Sequence, residues 1–199
     1  MRSWEATAAI AAAKVVAILR CDGPERAVAV GEEIVRAGLP VVEVSLTTPD
    51  ALTAIRELTR TDGLIGAGTV LDAASARAAI LAGARFLVSP AVIPEVISTG
   101  NRYGVPVLPG AQTPTEIVRA LELGAALVKL FPADHLGPGF LRGVAAAIPQ
   151  AAFVPTGGIS AANAREWLAA GAVALGVGGA LTGDTPGRAA EALREAVAA

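Results

Sequence analysis

Val15-Val16-Ala17-Ile18-Leu19-Arg20-Cys21-Asp22-Gly23-Pro24-Glu25, residues 15–25, is the stretch on which the fold turns. Its first five residues are apolar at odd and even positions alike, the mark of a parallel strand buried on both faces. The run ends in Gly23-Pro24, a turn that opens a helical pattern over 24–37. In an open doubly wound sheet that binds a dinucleotide, the turn after the first strand carries Gly-x-Gly-x-x-Gly, so that the backbone can approach the pyrophosphate. Here that position reads Arg20-Cys21-Asp22-Gly23-Pro24-Glu25, which weakens the open sheet as an architecture.

The same strand-then-helix unit recurs to the end of the chain. Strand patterns fall at 15–20, 41–46, 64–68, 86–89, 105–108, 126–131, 152–156 and 174–178. Helical patterns lie at 24–37, 50–60, 72–82, 92–103, 114–123, 139–147, 161–170 and 187–198, with an extra helix over 3–12. Thr48-Pro49-Asp50, Thr113-Pro114 and Ser160 are start signals, and Gly38, Gly83, Gly124 and Gly171 are stops. Eight βα units with short loops and no linker predict an α/β fold, a single (β/α)8 TIM barrel domain over 1–199 with an added N-terminal helix.

Composition narrows the function classes. With 53% hydrophobic and 17% charged residues the chain is expected to bury a full core. A net charge of −2, without any basic stripe, offers no footprint for nucleic acid. Cys21 is the only cysteine and His135 the only histidine, so neither a disulfide nor a His/Cys metal site is expected. The N-terminus lacks the charge and apolar run of a signal peptide, and the apolar patch at 8–13 is too short to span a bilayer. The expected setting is cytoplasmic, away from membranes.

In such a barrel the chemistry collects at the C-terminal strand ends and the loops that follow. Lys129 interrupts Leu127-Val128-Lys129-Leu130-Phe131, and Glu43 interrupts Val41-Val42-Glu43-Val44. Each puts a charge into an apolar strand, a costly arrangement for an unpaired ion. A buried lysine favours the free amine, the nucleophile of Schiff-base chemistry; the plainer reading is a strand-end lysine that snorkels to water. Together Glu43 and Lys129 form either a coupled acid/base pair or a structural ion pair. Arg20 offers a planar fork to a carboxylate, or is a solvated strand end. Thr69, after Gly66-Ala67-Gly68, offers a hydroxyl to the same carboxylate, or caps a turn. Thr156-Gly157-Gly158 and Gly178-Gly179 follow strands seven and eight, where barrels often bind phosphate through backbone amides. Cys21 reads as a small buried hydrophobe, and His135 as an ordinary loop residue near the mouth.

These segments resemble the 2-keto-3-deoxy-6-phosphogluconate (KDPG) and 4-hydroxy-2-oxoglutarate (KHG) aldolase family over about 14–182. The resemblance rests on Val-Glu-Val (42–44), Gly-Ala-Gly-Thr-Val (66–70), Val-Ser-Pro (88–90), Pro-Gly (109–110), Val-Lys-Leu-Phe-Pro (128–132) and Pro-Thr-Gly-Gly-Ile (155–159). It implies a class I lyase on a (β/α)8 barrel, a homotrimer without cofactor or metal, acting on a small keto acid in the Entner–Doudoroff route. Lys129 is then the Schiff-base lysine and Glu43 the general acid/base. Arg20 and Thr69 hold the substrate carboxylate, Phe131 shields the imine, and Thr156, Gly157, Gly158, Gly178 and Gly179 cradle the phosphate.

The chain departs from the family pattern at two points. Some members carry an arginine where Thr47 stands, whereas others place it at the end of strand one, as Arg20 does. The common Gly-Ser after strand eight is here Gly178-Gly179, which removes a hydroxyl worth about 0.5–1.5 kcal/mol to a phosphate. Cleavage of unphosphorylated substrates and of the 6-phosphogalactonate epimer therefore stay open at this level. So does a non-catalytic trimeric barrel that binds a phosphorylated ligand.

Overall fold

In the computed structural model, which describes residues 1–198, the strand and helix patterns alternate as the two periodicities require. Among the described residues the order is α1 (Ser3–Ala13), β1 (Val15–Leu19), α2 (Pro24–Arg36), β2 (Val41–Ser45), α3 (Ala51–Leu58), β3 (Leu64–Gly68), α4 (Ala73–Leu81) and β4 (Leu87–Val88). There follow α5 (Pro94–Tyr103), β5 (Val107–Leu108), β6 (Gly110–Ala111), α6 (Pro114–Glu122), β7 (Val128–Leu130), α7 (Gly137–Ala147) and β8 (Phe153–Pro155). The chain closes with α8 (Ala164–Ala169), β9 (Leu175–Val177), a 3-10 turn at Gly179–Leu181 and α9 (Pro186–Ala198).

Every ladder is parallel, in the orders β5-β4-β3-β2-β1-β9 and β6-β7-β8. β5 and β6 are two halves of one stave split at Pro109, which has no N–H to give a ladder. Its carbonyl still accepts from the Lys129 amide at 2.9 Å, so pairing continues past the break. β8 meets β9 through bridges at Phe153–Ala172 and Thr156–Gly176, and β9 pairs with β1, which closes the ring. Observed ladders are shorter than the predicted strands because the stagger of a barrel leaves stave ends unpaired.

Alternation along each stave sorts the core into two layers. Val15, Ala17, Leu19, Val42, Val44, Val128 and Leu130 face the helices. Val16, Val41, Leu64, Phe86, Leu127, Val154 and Ala174 face inward and pack with Ala6 and Ile10 of α1. The N-terminal helix thus plugs the lower mouth with Ile10, which is fully buried, and leaves the C-terminal mouth as the open end.

Local chemistry sets the helix ends. Thr113 and Glu116 form a capping box on α6, and Asp72 accepts from the Ser75 amide at 2.7 Å on α4. After α2, α4, α6 and α8 the chain reverses through Gly38, Gly83, Gly124 and Gly171 at φ of 91°, 108°, 90° and 108°, a left-handed turn that strains any residue with a Cβ. One expectation moves: α8 begins at Ala164 rather than near 161. Asn163 Oδ1 accepts from the Ser160 amide at 3.0 Å while its Nδ2 donates to the Gly158 carbonyl at 2.9 Å. That side chain holds 158–163 as a loop and shapes the rim above β8.

Candidate active site

The inward alternation continues upward from the apolar floor and becomes polar within one step. Glu43 lies between Val41 and Ser45 on β2, and Lys129 between Leu127 and Phe131 along β7. Ladder register sets Glu43 beside Ile18 and Gly66, and Lys129 beside Gly110 and Val154. Above them opens a cavity of about 500 Å³. Its wall holds all ten residues expected from sequence: Arg20, Glu43, Thr69, Lys129, Phe131, Thr156, Gly157, Gly158, Gly178 and Gly179. Ile18, Pro90, Ile159, Gly176, Ala180 and Thr182 complete it. The first three are ordinary apolar rim residues, and nothing in the local sequence marks Thr182.

Room for the polar groups comes from interior glycines. A Cβ on Gly68 would fall onto the Glu43 carboxylate, and one on Gly176 onto the Thr156 hydroxyl. Sequence reasoning takes Gly68 for a strand end and misses this role. The signal lies in Gly66-Ala67-Gly68, two glycines at strand spacing on one face.

Glu43 is 2% exposed and Lys129 8%. Burial pushes the Glu43 carboxyl above its ordinary range, against the smaller pull of the Lys129 and Arg20 charges. The two groups are not a closed ion pair. Ion pairs among the described residues join Arg60 to Glu57 and Arg119 to Glu122 at the surface, where His135 Nε2 also lies 3.9 Å from Asp134 Oδ1. Lys129 Nζ lies instead 4.5 Å from the centre of the Phe131 ring, where the π face attracts a cation. Among the described residues no fully buried side-chain N or O is left without a partner, so the Glu43 carboxylate and the Lys129 amine open onto the cavity.

Thr69 is held in an unusual pose. Its φ of 58° is left-handed, which for a β-branched residue costs about 1–3 kcal/mol. Ser45 Oγ lies 2.9 Å from Thr69 Oγ1 and 2.8 Å from Thr47 Oγ1. This chain of hydroxyls fixes Thr69 at the rim on the Glu43 side. Across the mouth Gly157 and Gly158 take φ of 111° and 68°, and face Gly178 and Gly179. Successive turns of this kind point backbone N–H groups into one concavity, a geometry suited to an anion.

The remaining sequence candidates lie off the cavity wall. His135 is exposed in the loop before α7. Cys21 packs against the helix-facing core, burial pushes its thiol pKa up, and its amide donates to Thr48 Oγ1 at 3.1 Å. Among the described residues no three His, Cys, Asp or Glu side chains converge as a metal-ligand set, and no helix is long and apolar enough to cross a membrane.

The sequence model of the family described as KDPG and KHG aldolase matches residues 7–190. The chain belongs to that family. It is 39% identical over 160 residues to 2-dehydro-3-deoxy-phosphogluconate aldolase of Treponema pallidum (strain Nichols), spanning 78% of this chain and 76% of that protein. Among solved structures, the KDPG aldolase of Legionella pneumophila with pyruvate captured at low pH as a covalent carbinolamine superposes with a TM-score of 0.84 at 31% identity, covering 96% of this chain and 95% of that one. The 2-keto-3-deoxy-6-phosphogluconate aldolase of Zymomonas mobilis ZM4 with 3-phosphoglycerate gives 0.87 at 30% identity, covering 98% and 95%. For a chain of the KDPG and KHG aldolase family, Gly179 is a departure with room around it. A Cβ there would meet nothing within 4 Å, and the backbone is not left-handed.

Proposed function

We propose that this chain is a class I aldolase that reversibly cleaves 2-keto-3-deoxy-6-phosphogluconate to pyruvate and glyceraldehyde 3-phosphate, and 4-hydroxy-2-oxoglutarate to pyruvate and glyoxylate. The observation that carries the reading is the pair Glu43 and Lys129. Both are buried and inward-facing, over an apolar floor, and open to one cavity without bonding each other.

Lys129 Nζ adds to the C2 ketone, and loss of water leaves an iminium. Glu43, through a water, takes the proton from the C4 hydroxyl. The C3–C4 bond then breaks, its electron pair passes into the iminium to give an enamine, and the aldehyde leaves. Glu43 returns a proton to C3, and hydrolysis of the imine frees pyruvate and the lysine. Arg20 and Thr69 hold the carboxylate, Phe131 covers the imine, and the amides of Gly157, Gly158, Gly178 and Gly179, with Thr156 at the base of the cradle, receive the phosphate. The working unit is one barrel domain over 1–199, in a cytoplasmic homotrimer that serves the Entner–Doudoroff route; light scattering checks the trimer.

The test is borohydride reduction in the presence of pyruvate, followed by peptide mass mapping. A reduced pyruvyl adduct on Lys129 is expected. A folded protein that forms none at neutral pH loses this mechanism, and the phosphate-binding barrel without catalysis takes its place.

Two further results follow from the glycines. Gly68→Ala is expected to displace the Glu43 carboxylate and cut kcat/KM about 100-fold, the scale of a 1 Å misplacement. Unchanged kinetics in the folded variant would mean that the position of Glu43 is immaterial. Gly179→Ser fits the open space and supplies a hydroxyl, so KM for the phosphorylated substrate should fall about 2- to 13-fold. If KM stays constant, the phosphate does not reach residue 179.

A further inference from the structure

We propose that Thr182 supplies the side-chain hydroxyl to the phosphate end of the cavity and so sets the preference for phosphorylated over plain keto acids. The inference rests on the aldolase reading above. The cavity wall carries three hydroxyl side chains, Thr69, Thr156 and Thr182. Two are committed elsewhere: Thr69 Oγ1 lies 2.9 Å from Ser45 Oγ, and Thr156 Oγ1 donates to the Val154 carbonyl at 3.3 Å. Among the described residues no side-chain hydrogen bond holds the Thr182 hydroxyl. Thr182 is half-buried, directly after the 3-10 turn Gly179–Leu181, and shares the wall with Gly157, Gly158, Gly178 and Gly179.

Its neighbours leave the corner open. Gly179 has no side chain to fill it, and Leu181 is turned fully into the core. The cationic side chains of the wall are Arg20 and Lys129, which stand at the end of β1 and on β7. Charges of both signs flank the glycine end: Asp134 Cβ would lie 2.8 Å from a Cβ placed on Gly158, and the Arg26 guanidinium donates to the Gly183 carbonyl at 3.1 Å. Of the side chains on this part of the wall, Thr182 presents the hydroxyl that no other side chain holds, so an anion there meets backbone amides and this hydroxyl. Hydrogen bonds to charged groups are stronger than neutral ones, so one hydroxyl counts there.

The readout is the ratio of kcat/KM for a phosphorylated 2-keto-3-deoxy acid to that for its unphosphorylated counterpart. A ratio taken on one preparation does not depend on the fraction folded. In Thr182→Val, which keeps the shape and loses the hydroxyl, the ratio should fall on the order of tenfold. In Thr182→Ser, which restores the hydroxyl, most of it should return, and inorganic phosphate should again compete with the phosphorylated substrate. If both substrates lose equally in the valine variant, or if neither changes, Thr182 is not a phosphate contact and the aldolase reading stands. A wild-type protein that turns over neither substrate removes the aldolase reading and Thr182's role with it.

Discussion

Lys129→Ala is expected to lower kcat/KM for aldol cleavage by roughly 10,000-fold or more, and to abolish the reduced pyruvyl adduct. The size follows from the mechanism: without an imine no electron sink exists at C2, and the C3–C4 bond has nowhere to release its electrons. Lys129→Met tests the same step at nearly constant volume. Both variants should still unfold in one cooperative thermal transition, so that lost cleavage reports the missing amine and not a lost fold. A lysine that merely held β7 in place would leave cleavage intact in the folded fraction, whatever the change in Tm. Kinetics, intact mass after borohydride and thermal unfolding separate the two. Cleavage that persists in either variant removes the imine from the mechanism.

Glu43→Gln is expected to cut kcat about 100- to 10,000-fold while the protein becomes more stable at neutral pH. Burial raises the Glu43 carboxyl pKa above its unfolded value. The folded state therefore holds the proton more tightly than the unfolded chain. That contribution to stability is fully present below the unfolded pKa and is lost as pH rises through the folded pKa. At neutral pH the carboxylate opposes folding, so the glutamine variant should melt higher, by about 2–4 °C for each 1 kcal/mol relieved. The advantage should fade as pH falls towards the ordinary carboxylate range. The same shift sets the activity profile. Glu43 must be ionised to accept the C4 hydroxyl proton, so the acid limb of kcat/KM should lie above the ordinary carboxylate range, and the glutamine variant should lack it. A limb at the ordinary carboxylate position, or one that survives Glu43→Gln, assigns the proton transfer to another group.

The two charged residues are legible in the sequence because each breaks a rule that its neighbours obey. Glu43 and Lys129 sit in strands that are otherwise apolar on both faces, and alternation puts each on the inward side. The helix boundaries are mostly readable for a similar reason, since Gly38, Gly83 and Gly124 meet a local backbone need that shows in sequence. The start of α8 is not. It depends on Asn163 reaching back to Ser160 and Gly158, and a serine turn followed by alanines reads as helix until that contact is known. The split of the fifth stave at Pro109 is hidden likewise, because the pattern records apolarity but not which neighbour each half pairs with.

Sequence alone determined the order of the elements, the inward direction of Glu43 and Lys129, and the glycines that end staves seven and eight. These are consequences of periodicity and local steric limits, which act within a few residues along the chain. Only the tertiary structure decided that Gly68 is the space for the Glu43 carboxylate and that Ser45, itself bonded to Thr47, meets the hydroxyl of Thr69 in its left-handed pose. It alone brought Thr182 to the cavity beside Gly157 and Gly158. Each of these joins groups from different staves. Their distances are set by how the barrel closes, and closure is a sum over all eight staves that no single stretch of chain records.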